Sequence, residues 1–429
     1  MKTNDSIEVT LDSIRVDGCS YTDDGRHAVF GALPGEKVIG VPVARKRKRL
    51  YLRSVEVITP ASQRVEPQCT VASFCGGCSF QHASKAFQLE CKLTQVRLAL
   101  GATVPQEWLR PIFSNSYAYR TKARLGVKYV DKKERVLIGF REKMKPYITD
   151  TECCPVLVDP VSNLIQPLIS LISGLSDPKS IPQIEVACGD TEVALIFRHL
   201  TAVPAADLRK LRLFGREKSV QMFLQPRGID TTHKVFPQDD QELLEYRLPD
   251  YDLLFKFSPH DFTQVNLAVN RLMVEKALEL LDLESSDHVL DAFCGIGNFS
   301  LPISRFVRRV TGAEQSIGSV LRARDNARLN EVKNVSFFVQ NLYVDNPEID
   351  IVKDIDKALL DPPRSGAEAL VRKLAISEID RIVYISCNPE TLARDIKVLE
   401  EGGYKLQSAG IIDMFPHTTH VESIALLVR

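Results

Sequence analysis

The stretch that decides the fold is Arg381–Asp395, which reads RIVYISCNPETLARD. It begins with an apolar, β-branched run and continues, after the turn SCNP at 386–389, with residues that favour a helix. The pattern predicts a buried strand, a tight turn and a helix whose N-cap is Asn388, because proline suits the first helical position. Cys387 would then lie at the carboxyl end of a strand, where open α/β sheets place their ligands.

Two interpretations of Cys387 are open at this point. A thiol near a helix N-terminus experiences a positive dipole, which favours the reactive thiolate. A free cysteine is more often a small buried apolar residue. The stretch alone does not decide between a nucleophile and a core residue.

Length, composition and charge set broad limits. The chain has 429 residues, 44% hydrophobic and 26% charged, so we expect a globular protein of roughly two or three domains. Lys+Arg and Asp+Glu are both 55, and a nucleic-acid partner therefore cannot be inferred from net charge. No stretch has the apolar core of a signal peptide or a membrane span, which predicts a cytoplasmic protein without membrane contact. Its ten cysteines are then expected to be reduced thiols, ligands or nucleophiles.

Residues 1–60 have the alternating pattern and turn signals of short strands and predict a small β-barrel. This segment carries five consecutive cations, Arg45–Arg49. Such a run fits either an RNA-facing loop or a solvated hairpin tip.

Residues 61–255 contain a compact cysteine pattern, C-x5-C-x2-C, formed by Cys69, Cys75 and Cys78. Clustered thiolates need a fourth ligand, and the adjacent Cys153 and Cys154 are the obvious source. Four cysteines bind either zinc or an iron–sulfur cluster, and the spacing does not choose between them.

Further elements of this central part are predicted from periodicity. A helix is expected over Lys85–Leu100 and a short one over Leu208–Phe214. Strands are expected over Ala187–Arg198 and Ser219–Leu224.

From about residue 256 the pattern becomes strand–helix–strand, which is typical of a parallel sheet. A strand ending at Asp291 is followed by Gly295-Ile296-Gly297, a turn that lets a ligand approach the backbone. A helix over Leu267–Leu281 and a strand over Val335–Val339 are also predicted. The next strand, at 358–360, is followed by Asp361-Pro362-Pro363-Arg364. The glycine pattern is neither a full dinucleotide fingerprint nor a Walker A loop, so neither of those sites is indicated.

These motifs together resemble a known family. The DAFCGIGNF segment at 291–299, an acid after the next strand and D-P-P-R are similar to S-adenosylmethionine-dependent methyltransferases. The SCNP turn and the C-terminal DMFPHTTHVE segment at 413–422 are more specific and resemble the RNA uracil-C5 methyltransferases. The cysteine set and the N-terminal barrel, which is similar to a TRAM domain, resemble the members that methylate 23S ribosomal RNA and carry a [4Fe-4S] cluster.

The resemblance implies roles for individual residues. Cys387 would be the nucleophile and Glu422 the base that removes a proton, with His420 as a chemical rival for the base. The residues expected to bind S-adenosylmethionine are Gln264, Phe293, Asn298, Glu314, Asn341 and Asp361. The expected cluster ligands are Cys69, Cys75, Cys78 and Cys154, with zinc as the lesser alternative to [4Fe-4S].

The complete expectation is a chain of three domains. Residues 1–60 would form a TRAM/OB-like RNA-binding barrel, 61–255 a central α+β domain with the iron–sulfur site, and 256–429 a Rossmann-like α/β methyltransferase domain. The expected activity is methylation of C5 of a uridine in 23S rRNA, with tRNA or another rRNA site as the alternative substrate. A monomer without an obligate protein partner is expected.

Overall fold

A computed structural model of the chain describes residues 6–239, 242–344 and 350–429. The chain divides into two compact units. The first comprises Met1–Cys91, Asn115–Glu242 and Phe415–Thr419, and the second comprises Lys92–Ser114, Leu243–Met414 and His420–Arg429. The division into three domains stays a prediction.

The elements up to residue 236 are mostly strands. They are β1 (Ile7–Thr10), β2 (Ser13–Ile14), β3 (Ser20–Tyr21), β4 (His27–Phe30), β5 (Lys37–Lys46), β6 (Arg49–Thr59), α1 (Lys85–Leu100), β7 (Glu107–Trp108), β8 (Lys122–Val130), β9 (Arg135–Gly139), α2 (Asp159–Ser162), α3 (Ile165–Ser173), β10 (Gln183–Cys188), β11 (Val193–Arg198), α4 (Ala205–Lys218), β12 (Gln221–Gln225) and β13 (His233–Phe236).

The remaining elements alternate between strands and helices. They are β14 (Leu244–Leu248), β15 (Leu253–Phe257), α5 (Leu267–Leu281), β16 (His288–Ala292), α6 (Ser300–Ser304), β17 (Arg309–Glu314), α7 (Ile317–Leu329), β18 (Val335–Val339), β19 (Lys357–Leu360), α8 (Glu368–Ala375), β20 (Arg381–Ser386), α9 (Pro389–Glu401), β21 (Lys405–Ile412) and β22 (Glu422–Val428). Short 3₁₀ helices cover Asp131–Lys133, Pro178–Ser180, Ile229–Thr231 and Pro249–Tyr251.

The first unit contains two six-stranded sheets. The N-terminal sheet has the order β1-β5-β6-β4-β3-β2 and the central sheet the order β13-β12-β11-β10-β8-β9. Leu125, Ile184 and Phe197 belong to the buried core of the central sheet, against which α3 and α4 pack. The N-terminal sheet confirms the β-rich character predicted for the start of the chain.

One predicted strand of the first unit is wrong. Residues 187–198 form parts of two antiparallel strands, β10 and β11, instead of one strand. The turn between them is closed by Gly189 N–H, which donates to the carbonyl of Glu192 at 2.9 Å. The apolar residues on both sides concealed this turn, whose signal is the pair Gly189-Asp190. The predicted short helix at 208–214 is the middle of the longer α4.

The second unit is built on an eight-stranded sheet of order β18-β17-β16-β19-β20-β22-β21-β7. Strands β16 to β20 pair with one another in parallel, and β22 runs antiparallel to both β20 and β21. After β16 the chain first adds β17 and β18 on one side of β16, and then adds β19 and β20 on its other side. The change of direction makes a topological switch point between β16 and β19. Ligands of open α/β sheets bind at the carboxyl ends of the strands at such a point.

Local signals in the sequence explain the helix starts in this unit. The Asn266 side chain accepts a hydrogen bond from Val269 N–H at 3.2 Å and begins α5. The predicted N-cap Asn388 is confirmed, because its side chain accepts a hydrogen bond from Glu390 N–H at 3.1 Å and proline follows it. No helix among the described residues is long and apolar enough to span a membrane.

Candidate active site

The carboxyl ends of neighbouring parallel strands bring most of the predicted site residues to one edge of the large sheet. Phe293 follows β16, Glu314 ends β17, Asn341 follows β18, Asp361 follows β19 and Cys387 follows β20. The strand pairing places β16 and β19 side by side at the switch point. The sequence expectation of a site at this edge is therefore consistent with the sheet order.

The glycine turn after β16 exposes backbone at this edge. Phe293, Gly295 and Gly297 all have positive φ, of 65°, 54° and 94°. Gly295 N–H donates to Glu314 Oε2 at 3.4 Å, and Ser316 N–H donates to Glu314 Oε1 at 2.8 Å. A carboxylate held in this way at the end of the second strand suits the hydroxyl groups of a ribose.

The other residues predicted for the cofactor have more varied surroundings. The Asn298 side chain is engaged at both ends, because its Oδ1 accepts from Tyr246 OH at 3.0 Å and it exchanges two 2.9 Å bonds with Asn270. Gln264 is half-buried in the segment before α5, and Asn341 is exposed. Their contact with a cofactor stays a prediction.

A buried carboxyl group beneath this edge has no role in the sequence interpretation. Asp291 in β16 is fully buried and its Oδ2 accepts a hydrogen bond from the Ser300 hydroxyl. Its Oδ1 is buried and has no hydrogen-bond partner among the described residues. Burial, together with the carboxyl group of Asp361, raises the pKa of Asp291 to about 7. The signal that could have found it is an acid inside an otherwise apolar strand.

Cys387 and Glu422 occupy facing positions on neighbouring strands. In the antiparallel ladder of β20 and β22, Ser386 is paired with Ser423. Continuing that register by one residue sets Cys387 opposite Glu422. The Ser423 hydroxyl donates to the Ser386 carbonyl at 3.0 Å, which fixes the two strand ends relative to each other. Glu422 is only 5% exposed, whereas Cys387 is half-buried.

The surroundings of the Cys387 thiol oppose its ionisation. Burial raises the pKa of Cys387 to about 11, and the carboxyl groups of Glu422 and Asp361 contribute in the same direction. The N-terminus of α9 favours the thiolate, but desolvation outweighs this effect in the isolated protein. Burial also raises the pKa of Asp361 to about 7 and that of Glu422 well above its ordinary value.

The cysteines predicted as ligands lie on neighbouring segments of the first unit. Gln81 connects two of them, because its Oε1 accepts from Cys69 N–H at 3.2 Å and its Nε2 lies 3.3 Å from Cys78 Sγ. Gly77 N–H donates to Cys75 Sγ at 3.4 Å. Cys154 packs in the same apolar cluster as Cys78.

The fit of this cysteine set to a metal centre is mixed. Burial, with a smaller contribution from the thiol of Cys75, raises the pKa of Cys78 to about 11 and that of Cys154 to about 12. Sulfur donors without competing oxygen or nitrogen ligands suit iron or zinc. Among the described residues, however, no group of three or more potential ligands is arranged to hold a metal ion. Cys153, the alternative fourth ligand, is exposed.

Comparison with known proteins defines the class and then the family. A solved structure of *Pyrococcus abyssi* tRNA (uracil-54, C5)-methyltransferase in complex with S-adenosyl-L-homocysteine superposes with a TM-score of 0.75, at 25% identity over 98% of this chain and 100% of that one. The fold is therefore that of an S-adenosylmethionine-dependent methyltransferase. The family model for tRNA (uracil-5-)-methyltransferases matches residues 86–429. This chain belongs to that family.

Full-length relatives point to one branch of the family. The 23S rRNA (uracil(1939)-C(5))-methyltransferase RlmD of *Hahella chejuensis* is 44% identical, over 99% of this chain and 98% of its own length. The RlmD of *Legionella pneumophila* (strain Lens) is 43% identical, over 100% of this chain and 99% of its own.

Proposed function

We propose that this chain transfers a methyl group from S-adenosylmethionine to C5 of a uridine in 23S ribosomal RNA. The observation that carries the proposal is the facing pair of Cys387 and Glu422 at the carboxyl edge of a methyltransferase sheet. The similarity to 23S rRNA methyltransferases over nearly the whole chain supports this choice of RNA.

The reaction needs a nucleophile because C5 of uracil reacts poorly with electrophiles. Addition of the Cys387 sulfur to C6 moves the C5–C6 π electrons toward C5 and O4 and makes an enolate. When bound at this edge, S-adenosylmethionine supplies an electrophilic methyl group on its sulfonium. C5 takes that methyl group, and S-adenosylhomocysteine is the leaving group. The target base has to be unstacked for Cys387 to reach C6.

A base then restores the pyrimidine. Removal of the C5 proton re-forms the C5–C6 double bond and expels the Cys387 sulfur. Glu422 is favoured for this step, because it is buried opposite the thiol and its raised pKa makes it a stronger base. His420 is exposed, and its Nδ1 lies 3.2 Å from Nη2 of Arg364. A guanidinium has only donors, so Nδ1 of His420 is the acceptor in this contact.

The test compares methyl transfer by the parent protein and by Cys387→Ala. Labelled methyl should enter a 23S rRNA fragment with the parent and not with Cys387→Ala. Cys91→Ala, which changes a half-buried thiol on α1, is the matched control and should retain transfer. Full activity of Cys387→Ala would remove the nucleophile from the proposal.

A second candidate substrate is tRNA. The family description and the *Pyrococcus abyssi* structure both name tRNA, which makes this alternative specific. Bulk tRNA and the 23S fragment, offered separately in the same assay, distinguish the two. We expect transfer to the 23S fragment, and transfer to tRNA alone would reverse the assignment.

We further propose that Cys69, Cys75, Cys78 and Cys154 hold a [4Fe-4S] cluster and that the N-terminal sheet is a TRAM-like RNA-binding barrel. The soft donor set and the packing of Cys154 beside Cys78 support the ligand choice. The methyl transfer described above involves none of these thiols, so the role of the cluster would be structural.

Metal analysis tests the cluster. The purified protein should contain iron and acid-labile sulfide. Cys154→Ser should lose iron, whereas Cys153→Ser, its matched control, should retain it. Zinc without sulfide would support the lesser alternative instead. The monomeric state and the absence of an obligate protein partner stay predictions.

A further inference from the structure

Arg364 contacts both the turn that carries Cys387 and the segment that leads to Glu422. Its backbone carbonyl accepts hydrogen bonds from Asn388 Nδ2 at 3.0 Å and from Thr391 Oγ1 at 3.3 Å. Both donors lie at the N-terminus of α9, directly after the thiol. The segment that follows β19 is thereby tied to the turn that carries Cys387.

The side chain of Arg364 points toward the strand that carries the base. Its Nη2 lies 3.2 Å from Nδ1 of His420, two residues before Glu422. Arg364 is thus joined through its carbonyl to the nucleophile's turn and through its guanidinium to the segment entering β22. These contacts place the guanidinium of Arg364, an exposed residue, beside the segment that enters β22.

The charged groups around Cys387 connect the placement of Arg364 with the ionisation of the thiol. Among the described residues, the groups that act on the thiol include Asp361 and Arg364, which follow β19, and Glu422, which begins β22. His420 contacts the Arg364 guanidinium. Glu422 and Asp361 raise the pKa of Cys387, and Arg364 acts in the opposite direction. The same guanidinium also lowers the pKa of Glu422 against the effect of burial.

We propose that Arg364 is a positioning residue whose guanidinium supplies the positive charge that lets Cys387 attack uracil as a thiolate between two carboxyl groups. The inference rests on the proposed function. Arg364 takes no proton in the step: the proton of the Cys387 thiol leaves to solvent, and the sulfur electron pair forms the bond to C6. The nearby cation stabilises the anionic sulfur before that bond forms.

The test measures the ionisation of Cys387 in the full-length protein without RNA. The rate of alkylation by iodoacetamide is followed against pH, with the Cys387 peptide quantified by mass spectrometry. Arg364→Gln should shift the alkylation midpoint to higher pH, and Arg364→Lys should stay close to the parent. Arg372→Gln is the control, since it removes an exposed arginine that is paired with Glu368 on α8.

A second measurement connects this shift to the reaction. The thiolate fraction falls about tenfold for each unit by which the pKa rises. Single-turnover methyl transfer by Arg364→Gln at saturating RNA should therefore fall about tenfold per unit of the measured shift. The loss should diminish as the pH is raised, which a merely structural defect would not produce.

The outcomes separate this inference from its alternatives. An unchanged alkylation profile in Arg364→Gln would overturn it, whether the variant is fully active or binds RNA more weakly. In the latter case Arg364 is an RNA contact. If the parent protein fails to methylate 23S rRNA, the proposed function fails, while the alkylation profile still reports on Arg364 and Cys387.

Discussion

An ion pair in the interior of the second unit gives the sharpest stability prediction. Lys92 Nζ lies 2.5 Å from Asp413 Oδ1, and both side chains have no exposed surface. Lys92 belongs to α1, and Asp413 directly follows β21, whose last residue Ile412 is paired with Glu422. The pair therefore fixes the end of the strand beside the predicted base.

The perturbation is Lys92→Met, which keeps most of the side-chain volume and removes the charge. The carboxylate of Asp413 would then be left buried without its cation. Breaking a fully buried pair from one side costs about 3–5 kcal/mol, because the remaining ion keeps its desolvation penalty. Urea unfolding followed by circular dichroism should show this loss in the free energy of unfolding. Lys276→Met is the control, since its ion pair with Glu279 lies at the surface and should contribute less than about 1 kcal/mol.

The double variant Lys92→Met with Asp413→Leu tests the cause. Replacing both ions by apolar side chains also removes the buried carboxylate that has lost Lys92, so most of the lost stability should return. If the double variant were as unstable as Lys92→Met or less stable, packing would be the cause and not charge. A single variant as stable as the parent would refute the reasoning altogether.

Three further predictions concern charge and backbone in the second unit. The folded state holds the Asp291 proton up to a pKa of about 7, whereas the unfolded chain loses it near about 4, so stability should fall as the pH rises between these values. Asp291→Asn should make that fall less steep by up to about 1.4 kcal/mol per pH unit, as measured by urea unfolding at several pH values. The raised pKa of Glu422 predicts that release of methylated RNA from the covalent adduct, followed in a single turnover, becomes faster as the pH rises above the ordinary range of a carboxyl group. A release rate independent of pH would contradict the role of Glu422 as base. Gly366→Ala should lower the free energy of unfolding by about 1–3 kcal/mol, because Gly366 has a φ of 75° and an added Cβ would lie 2.5 Å from Nη2 of Arg394. An unchanged midpoint of urea unfolding would refute this expectation.

The sequence predicted the elements with strong local signals. The helices Lys85–Leu100 and Leu267–Leu281 and the strand Val335–Val339 have the predicted bounds. The second helix begins directly after its N-cap, Asn266, and the strand is a short run of β-branched and aromatic residues with one serine. The strand–helix–strand pattern also predicted where the site lies, because the carboxyl ends of parallel strands meet at one edge of the sheet.

What the sequence could not predict depends on groups that are distant along the chain. The pKa of Cys387 is raised by burial and by carboxyl groups 26 and 35 residues away, and it is lowered by Arg364, 23 residues away. The amide of Asn298 is engaged by Tyr246 and Asn270, which precede it on other elements. Local patterns identify residue types and their places on strands, whereas desolvation and side-chain pairing arise only in the folded chain.

The most direct test of the central claim is the fate of the covalent intermediate in Glu422→Gln. Cys387 should still add to C6 and the methyl group should still transfer, but the C5 proton should remain. We expect an RNA–protein adduct that is stable in denaturing gels and gives a Cys387 peptide bearing a methylated nucleotide. The double variant Cys387→Ala with Glu422→Gln should give none. Free turnover by Glu422→Gln, with methylated RNA released and no adduct formed, would contradict the account.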